Sequence, residues 1–198
     1  YKTEISKAEN KRSVKISKRD ANVSWTFLGK QSAAVPSDNA RLLSASLQKS
    51  NTILRADNCE NDDICRVSNR AVYENAEIDT DLEYRLQGNG LKENIIVKEK
   101  GDEYRYMFAL DTQGLKMRLS EDNEKIELYS GEKTEFIIPA PFMYDASGAM
   151  SDDVFYELEQ SDDGKYAFAV VASPEWINAA EREFPVTIDP QITAGISD

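Results

Sequence analysis

The sequence predicts a mainly β chain: an antiparallel, β-sandwich-like domain of about ten strands with one or two short helices. Three observations lead there. Apolar and polar residues alternate with period two through most of the chain, which gives an extended segment one face for a core and one for water. Gly, Asn and Asp punctuation such as "KGDE", "TQG" and "YSGE" separates the alternating runs at hairpin spacing. No helical pattern of the roughly 10–15 residues that a parallel crossover needs lies between consecutive runs.

Taken in order, "SVKIS" (13–17) and "NVSWTFLG" (22–29) alternate Val14 and Ile16, then Val23, Trp25 and Phe27, with polar residues, and the turn-like "KRDA" joins them as a hairpin. The stretch "DNARLLSASLQKS" (38–50) reads either as a short helix capped near Ser37 or Asp38 or as irregular chain after Pro36. From residue 71 the strand signals become regular: 81–87, "LKENIIVKE" (91–99), "EYRYMFAL" (103–110), "LKMRLS" (115–120), "KIELYS" (125–130) and "TEFIIP" (134–139). "DVFYELEQ" (153–160) and "KYAFAVVA" (165–172) make a last hairpin around "SDDG". "SPEWINAAERE" (173–183) offers a Ser cap, Pro174 at the first helical position and an early Glu, which predict one short helix. "FPVTIDP" (184–190) closes as a strand that Pro190 ends. The expected division is a frayed segment over 1–10, a single β domain over 11–190, and the start of a linker over 191–198.

Composition narrows the function. A single domain of 198 residues would bury roughly 70% of its unfolded surface, so a sizeable core is available. No apolar run approaches the ~18 residues of a membrane span. The net charge of −12 repels phosphate backbones and anionic lipid, which argues against nucleic acid and membrane insertion. The chain has no histidine, and this removes His-based triads, metal sites and proton switches. It begins "YKTEISKAEN" without a Met, as a processed or truncated piece does, so a missing secretory signal says little about compartment.

Several constellations carry possible chemistry. Cys59 and Cys65 bracket the acidic, turn-prone "ENDDI"; two thiols without histidine cannot complete a zinc site, so a disulfide pinning a loop is expected, set against two free cysteines. Asp79, Asp81 and Glu83 alternate along one run, which on a strand places them on one face at about 6.6–7 Å between neighbours. That spacing falls within the range for the acid and base of an inverting glycosidase, set against an ordinary solvated strand face. "DASGAMSDDVFY" (145–156) fails as an EF-hand, with Met150 where Gly is needed and Tyr156 where Glu belongs. A looser calcium site through Asp145, Asp152 and Asp153 stays open beside the plainer reading of a turn that leads into a strand; no other cofactor or metal is expected. Trp25, Trp176 and nine tyrosines could form a sugar-stacking platform or fill the core.

Three segments taken together, "SVKISKRDANVSWTFLG" (13–29), "AVYENAEIDTDLEYRLQGNGLKENIIVKE" (71–99) and "IIPAPFMYDASGAMSDDVFYELEQSDDGKYAFAVVASPEWINAAEREFPVTIDPQI" (137–192), resemble the β-rich region that precedes DNRLRE-type modules and RHS (YD) repeats in large secreted, wall-associated bacterial proteins. The resemblance implies no catalytic residues. It implies an extracellular or cell-wall location and the role of a structural or adhesive, non-enzymatic module of a cell-surface or RHS-type toxin-delivery polypeptide. The implied partners are downstream modules of the same polypeptide, with cell-wall or host glycans as further candidates. A carbohydrate-binding module and a carboxylate-based glycosidase are the alternatives. Phe142 and Met143 are expected to pack inward.

Overall fold

The structure, a computed structural model, describes residues 2–5, 13–18, 21–30, 53–55, 70–87, 90–121, 125–160 and 165–194. In chain order the strands are β1 Lys2–Ile5, β2 Ser13–Lys18, β3 Ala21–Lys30, β4 Ile53–Arg55, β5 Arg70–Glu77 and β6 Thr80–Gln87. There follow β7 Gly90–Val97, β8 Arg105–Asp111, β9 Lys116–Leu119, β10 Ile126–Ser130, β11 Lys133–Ile138 and β12 Phe142–Tyr144. The chain continues through β13 Met150–Ser151, β14 Val154–Gln160, β15 Tyr166–Ala172, the helix α1 Pro174–Ile177, β16 Val186–Asp189 and β17 Gln191–Ala194.

The fold is mainly β and sandwich-like, as the alternation predicts. One six-stranded sheet runs β1-β2-β3-β8-β15-β14, and an eleven-stranded sheet runs β13-β12-β16-β7-β17-β11-β10-β9, with β6, β5 and β4 branching from β7. All the pairings are antiparallel. β7 is the node of the larger sheet. It pairs with β6 along one edge, and on the other with β17 at residues 90–92 and β16 at residues 95–97. Pro190 lies between β16 and β17, where its missing N–H interrupts the ladder while its carbonyl accepts from Glu93 N at 3.3 Å.

Side chains from both sheets make one continuous core. In the smaller sheet Phe27 and Phe168 lie opposite Phe108 on its two neighbours. The ring centroids are 5.2 Å apart for Phe27–Phe108, 4.9 Å for Phe108–Phe168 and 5.9 Å for Phe168–Tyr156. The larger sheet contributes Leu82, Leu91, Ile95, Met143 and Ile188, all fully buried. Gly29 marks a register shift in β3 at a φ of 98°. A Cβ there would run into the Glu77 carboxylate, which accepts from the neighbouring Lys30 N at 3.3 Å, so this close approach of β3 to β5 requires glycine.

The structure differs from the sequence reading in several places. Lys2–Ile5 is a strand paired with β2 and not a frayed segment, because Ile5 packs on the core. Gln191–Ala194 is a strand between β7 and β11 and not the start of a linker, since the ladder resumes after Pro190. The helix spans only Pro174–Ile177. Ser173 caps it as expected, but Asn178 ends it, its side chain being taken up by Tyr104 Oη at 2.7 Å and the Gly101 carbonyl at 2.8 Å. Met143 is buried as predicted, whereas Phe142, one residue earlier on the same strand, turns to the other face. The segment 38–50 lies outside the described residues.

Phe108 joins three strands through its ring contacts, so Phe108→Ala should destabilise the fold by about 3–5 kcal/mol. Urea unfolding followed by tryptophan fluorescence measures this; a loss no greater than for an exposed residue would mean that the stack is not central.

Candidate functional site

The three acids predicted to share a strand face do three different things. Asp79 sits in the tight turn between β5 and β6 with a φ of 55°, a conformation that Asp tolerates in turns, and its carbonyl accepts from Lys98 N at 2.8 Å. Asp81 caps an irregularity in β5: it accepts from Asn75 N at 2.6 Å and pairs with Lys98 at 2.7 Å, and Asn75 has a φ of 51°. Glu83 is only 2% exposed, which corrects the solvated face expected for it.

Glu83 belongs to a polar seam on the face of the larger sheet that points away from the core. Arg70 from β5 and Arg85 from β6 both bond its carboxylate, Arg85 Nε at 2.6 Å, and Asn94 Nδ2 of β7 adds a bond of 2.8 Å. Burial pushes the Glu83 carboxyl up, but the bonds from Arg85, Arg70 and Asn94 outweigh it and hold the group below the usual carboxylate range. Further along the same face Lys92 pairs with the buried Asp189 at 2.5 Å. Burial holds Asp189 above its ordinary value despite that lysine. Phe142 and Tyr144 stack beside it at 6.1 Å and 28°, with Lys92 Nζ 5.8 Å over the Phe142 ring. These carboxylates are enclosed and ion-paired, an arrangement that braces strands.

On the core side of β7 lies a group the motif reading missed. Glu93 is buried between the sheets, where it accepts from Trp25 Nε1 of β3 at 2.8 Å and from Tyr84 Oη of β6 at 3.2 Å. Burial pushes its carboxyl up to about 8, with the Trp25 and Tyr84 bonds pulling the other way. Burial thus favours its neutral, protonated form. The signal was available: in "LKENIIVKE" Leu91 and Ile95 face the core, so Glu93 between them must do so too.

The calcium candidates are not brought together. Asp145 is 2% exposed, and its carboxylate is filled by five donors: Ser147 N, Ser147 Oγ and Ala149 N on Oδ1, Arg182 Nη1 and Glu183 N on Oδ2, at 2.6–3.2 Å. The Ser147 hydroxyl first, then these backbone amides, hold its carboxyl down at about 2. It organises the β12–β13 turn with no lone pair left for a cation. Asp152 and Asp153 are exposed at the start of β14. Among the described residues no group of three or more His, Cys, Asp or Glu side chains is placed to hold a metal ion. Cys59 and Cys65 lie outside the described residues.

No family model and no solved structure matches the chain. It is similar to three curated proteins: "tRNA nuclease WapA" of Bacillus subtilis (strain 168), 30% identical over 139 residues; "tRNA(Glu)-specific nuclease WapA" of Bacillus subtilis subsp. natto, also 30%; and "tRNA3(Ser)-specific nuclease WapA" of Bacillus spizizenii, 29%. In each case the match takes in 66% of this chain and 6% of the relative, so the chain spans a small fraction of the length of the proteins it matches. These names correct the expectation that no enzyme is involved, because the sequence similarity leads to polypeptides named for nuclease activity.

Two of the buried carboxyls, Glu93 and Asp145, give stability opposite pH dependences. The unfolded chain loses the Glu93 proton near its ordinary value of 4.5 while the folded chain keeps it to about 8, so this contribution is complete below 4.5 and is lost as pH rises through 8. That of Asp145 is present above 3.8 and lost as pH falls through about 2. Unfolding free energy should therefore peak between about pH 4 and 5 and decline towards pH 8. In Glu93→Gln, whose amide can accept from Trp25 and donate to Tyr84, that decline should flatten. Urea titrations across this range test it; an unchanged slope in the variant would show that Glu93 is ionised in the fold.

Proposed function

We propose that this chain is a folded β module of a very long, exported and wall-associated polypeptide of the tRNA-nuclease kind, and that its part in that polypeptide is structural or adhesive. The observation that carries this reading is the 139-residue similarity to about 6% of each of three named tRNA nucleases. The fold supports it. A continuous two-sheet core, with its inner acids bonded from neighbouring strands, makes a self-supporting unit of the sort that long surface proteins string together. The net charge of −12 keeps such a unit soluble outside the cell. RHS or DNRLRE-type neighbours, an extracellular location and delivery of a toxin belong to this same proposal, and they rest on the resemblance of residues 13–29, 71–99 and 137–192.

Deleting residues 70–194 in frame from the full-length polypeptide should release it from the wall fraction while the purified polypeptide still cleaves tRNA. An unchanged wall fraction together with loss of tRNA cleavage would overturn the proposal and place nuclease chemistry within this chain.

A further inference from the structure

Lys92 and Asp189 meet on the outer face of the larger sheet, where Pro190 divides the second edge of β7. The register runs unbroken past the proline, with Ile188 opposite Ile95 and Gln191 opposite Lys92, so Asp189 falls across from Asn94 and one diagonal step from Lys92. That diagonal is within reach of a long side chain. On its other side Asp189 is opposite Phe142 of β12. Lys92 Nζ lies 5.8 Å over the Phe142 ring, which stacks with Tyr144.

This pair differs from the other lysine–carboxylate pairs among the described residues. Lys2–Glu4, Lys125–Glu127 and Lys133–Glu135 join neighbours on one short stretch of chain and leave their lysines well exposed, and Lys98–Asp81 keeps its lysine 36% exposed. In Lys92–Asp189 the side chains are 21% and 2% exposed, and the residues come from distant parts of the sequence. The ion pair also leaves the pocket incompletely satisfied. Asp189 Oδ1 and Asn94 Oδ1 are buried without a hydrogen-bond partner among the described residues, the Asn94 amide nitrogen being turned to Glu83.

We propose that Lys92 and Asp189 condense into a side-chain amide that ties β7 covalently to β16. Asp189 Oδ2 is 2.5 Å from Lys92 Nζ, which sets the carboxyl carbon roughly 3–3.5 Å from the nitrogen, the separation of a near-attack conformer. The ammonium first hands a proton to the carboxylate, and the ion pair becomes a neutral amine beside a carboxylic acid. Burial favours that exchange, because a low dielectric penalises both charges. The desolvation that holds Asp189 above its ordinary value works in the same direction. The Nζ lone pair then attacks Cγ. The Nζ–Cγ bond forms, a Cγ–O bond breaks, and the departing oxygen carries the transferred proton and a second one from nitrogen away as water. Nothing is oxidised or reduced, and no co-reactant is needed. Condensation also relieves the unmet acceptors: one Asp189 oxygen leaves, and the amide keeps one N–H to offer Asn94 Oδ1. Neither the bond nor its test depends on the function proposed above.

The electrospray mass of the denatured 198-residue chain tests the proposal, because denaturation breaks an ion pair and spares an amide. The unaltered chain should weigh one water less than its sequence. Lys92→Arg, which keeps the charge pair but supplies no condensing amine, should weigh its full sequence mass. Trypsin does not cut at an acylated lysine, so a digest of the unaltered chain should hold a branched peptide that joins residues 86–98 to residues 183–198. That peptide is read from the unaltered chain alone and decides the matter even should the variant fail to fold. A full sequence mass for the unaltered chain, tryptic cleavage after Lys92 in most of the digest, or a water loss that persists in Lys92→Arg, as from an aspartate cyclised elsewhere, would each overturn the proposal.

Discussion

The register of the two sheets depends most on a buried polar contact, the Glu93 carboxyl of β7 between Trp25 of β3 and Tyr84 of β6. Apolar packing drives the sheets together, but it is non-directional and tolerates sliding. A buried carboxyl does not. Moving β7 by one residue would carry Glu93 to the outer face and leave the Trp25 N–H and Tyr84 hydroxyl buried without partners, at a cost of roughly 1–3 kcal/mol for each. The contact joins β3 of the smaller sheet to β7, the node of the larger one.

The other inner acids follow the same logic on a local scale. Glu77 sits where β3 approaches β5 at Gly29, Asp81 caps the irregularity in β5, Asp145 gathers the β12–β13 turn, and Glu83 ties together β5, β6 and β7. Each marks a place where a regular ladder is interrupted or three strands must agree, and a carboxylate suits these places because it can accept from several donors at once. The acidic composition thus reports two populations, exposed groups that set the net charge and enclosed groups that hold irregular backbone. Arg105 of β8 provides the cationic counterpart, with Glu157 and Glu159 of β14 reached across β15 at 2.9 and 3.1 Å.

How far the sequence could be read follows from the range of each signal. Hairpins such as β2–β3 and β14–β15 were legible because alternation and turn residues are local. The strand order was not, because nothing in "LKENIIVKE" says that its second edge will be shared by β16 and β17. β1 was hidden by a single apolar residue, Ile5, in four, and β17 by the proline before it. Asp79, Asp81 and Glu83 were read as one face because period two was extended through a turn that begins at Ile78. The absence of histidine turned the reading away from an enzyme, yet a nuclease name belongs to polypeptides of which the aligned stretch is 6%.

The fork at β7 also dictates an order of assembly. Its second edge is completed by residues 186–188 and 191–193, about a hundred positions later in the chain, and loop closure over such a span is slow compared with forming a hairpin. A polypeptide emerging from its N-terminus would hold β6 and β7 as a ribbon with one bare edge until the last two strands arrived. The larger sheet therefore cannot close early, and the chain stays extensible while it is being synthesised or threaded and becomes rigid only when the segment is complete.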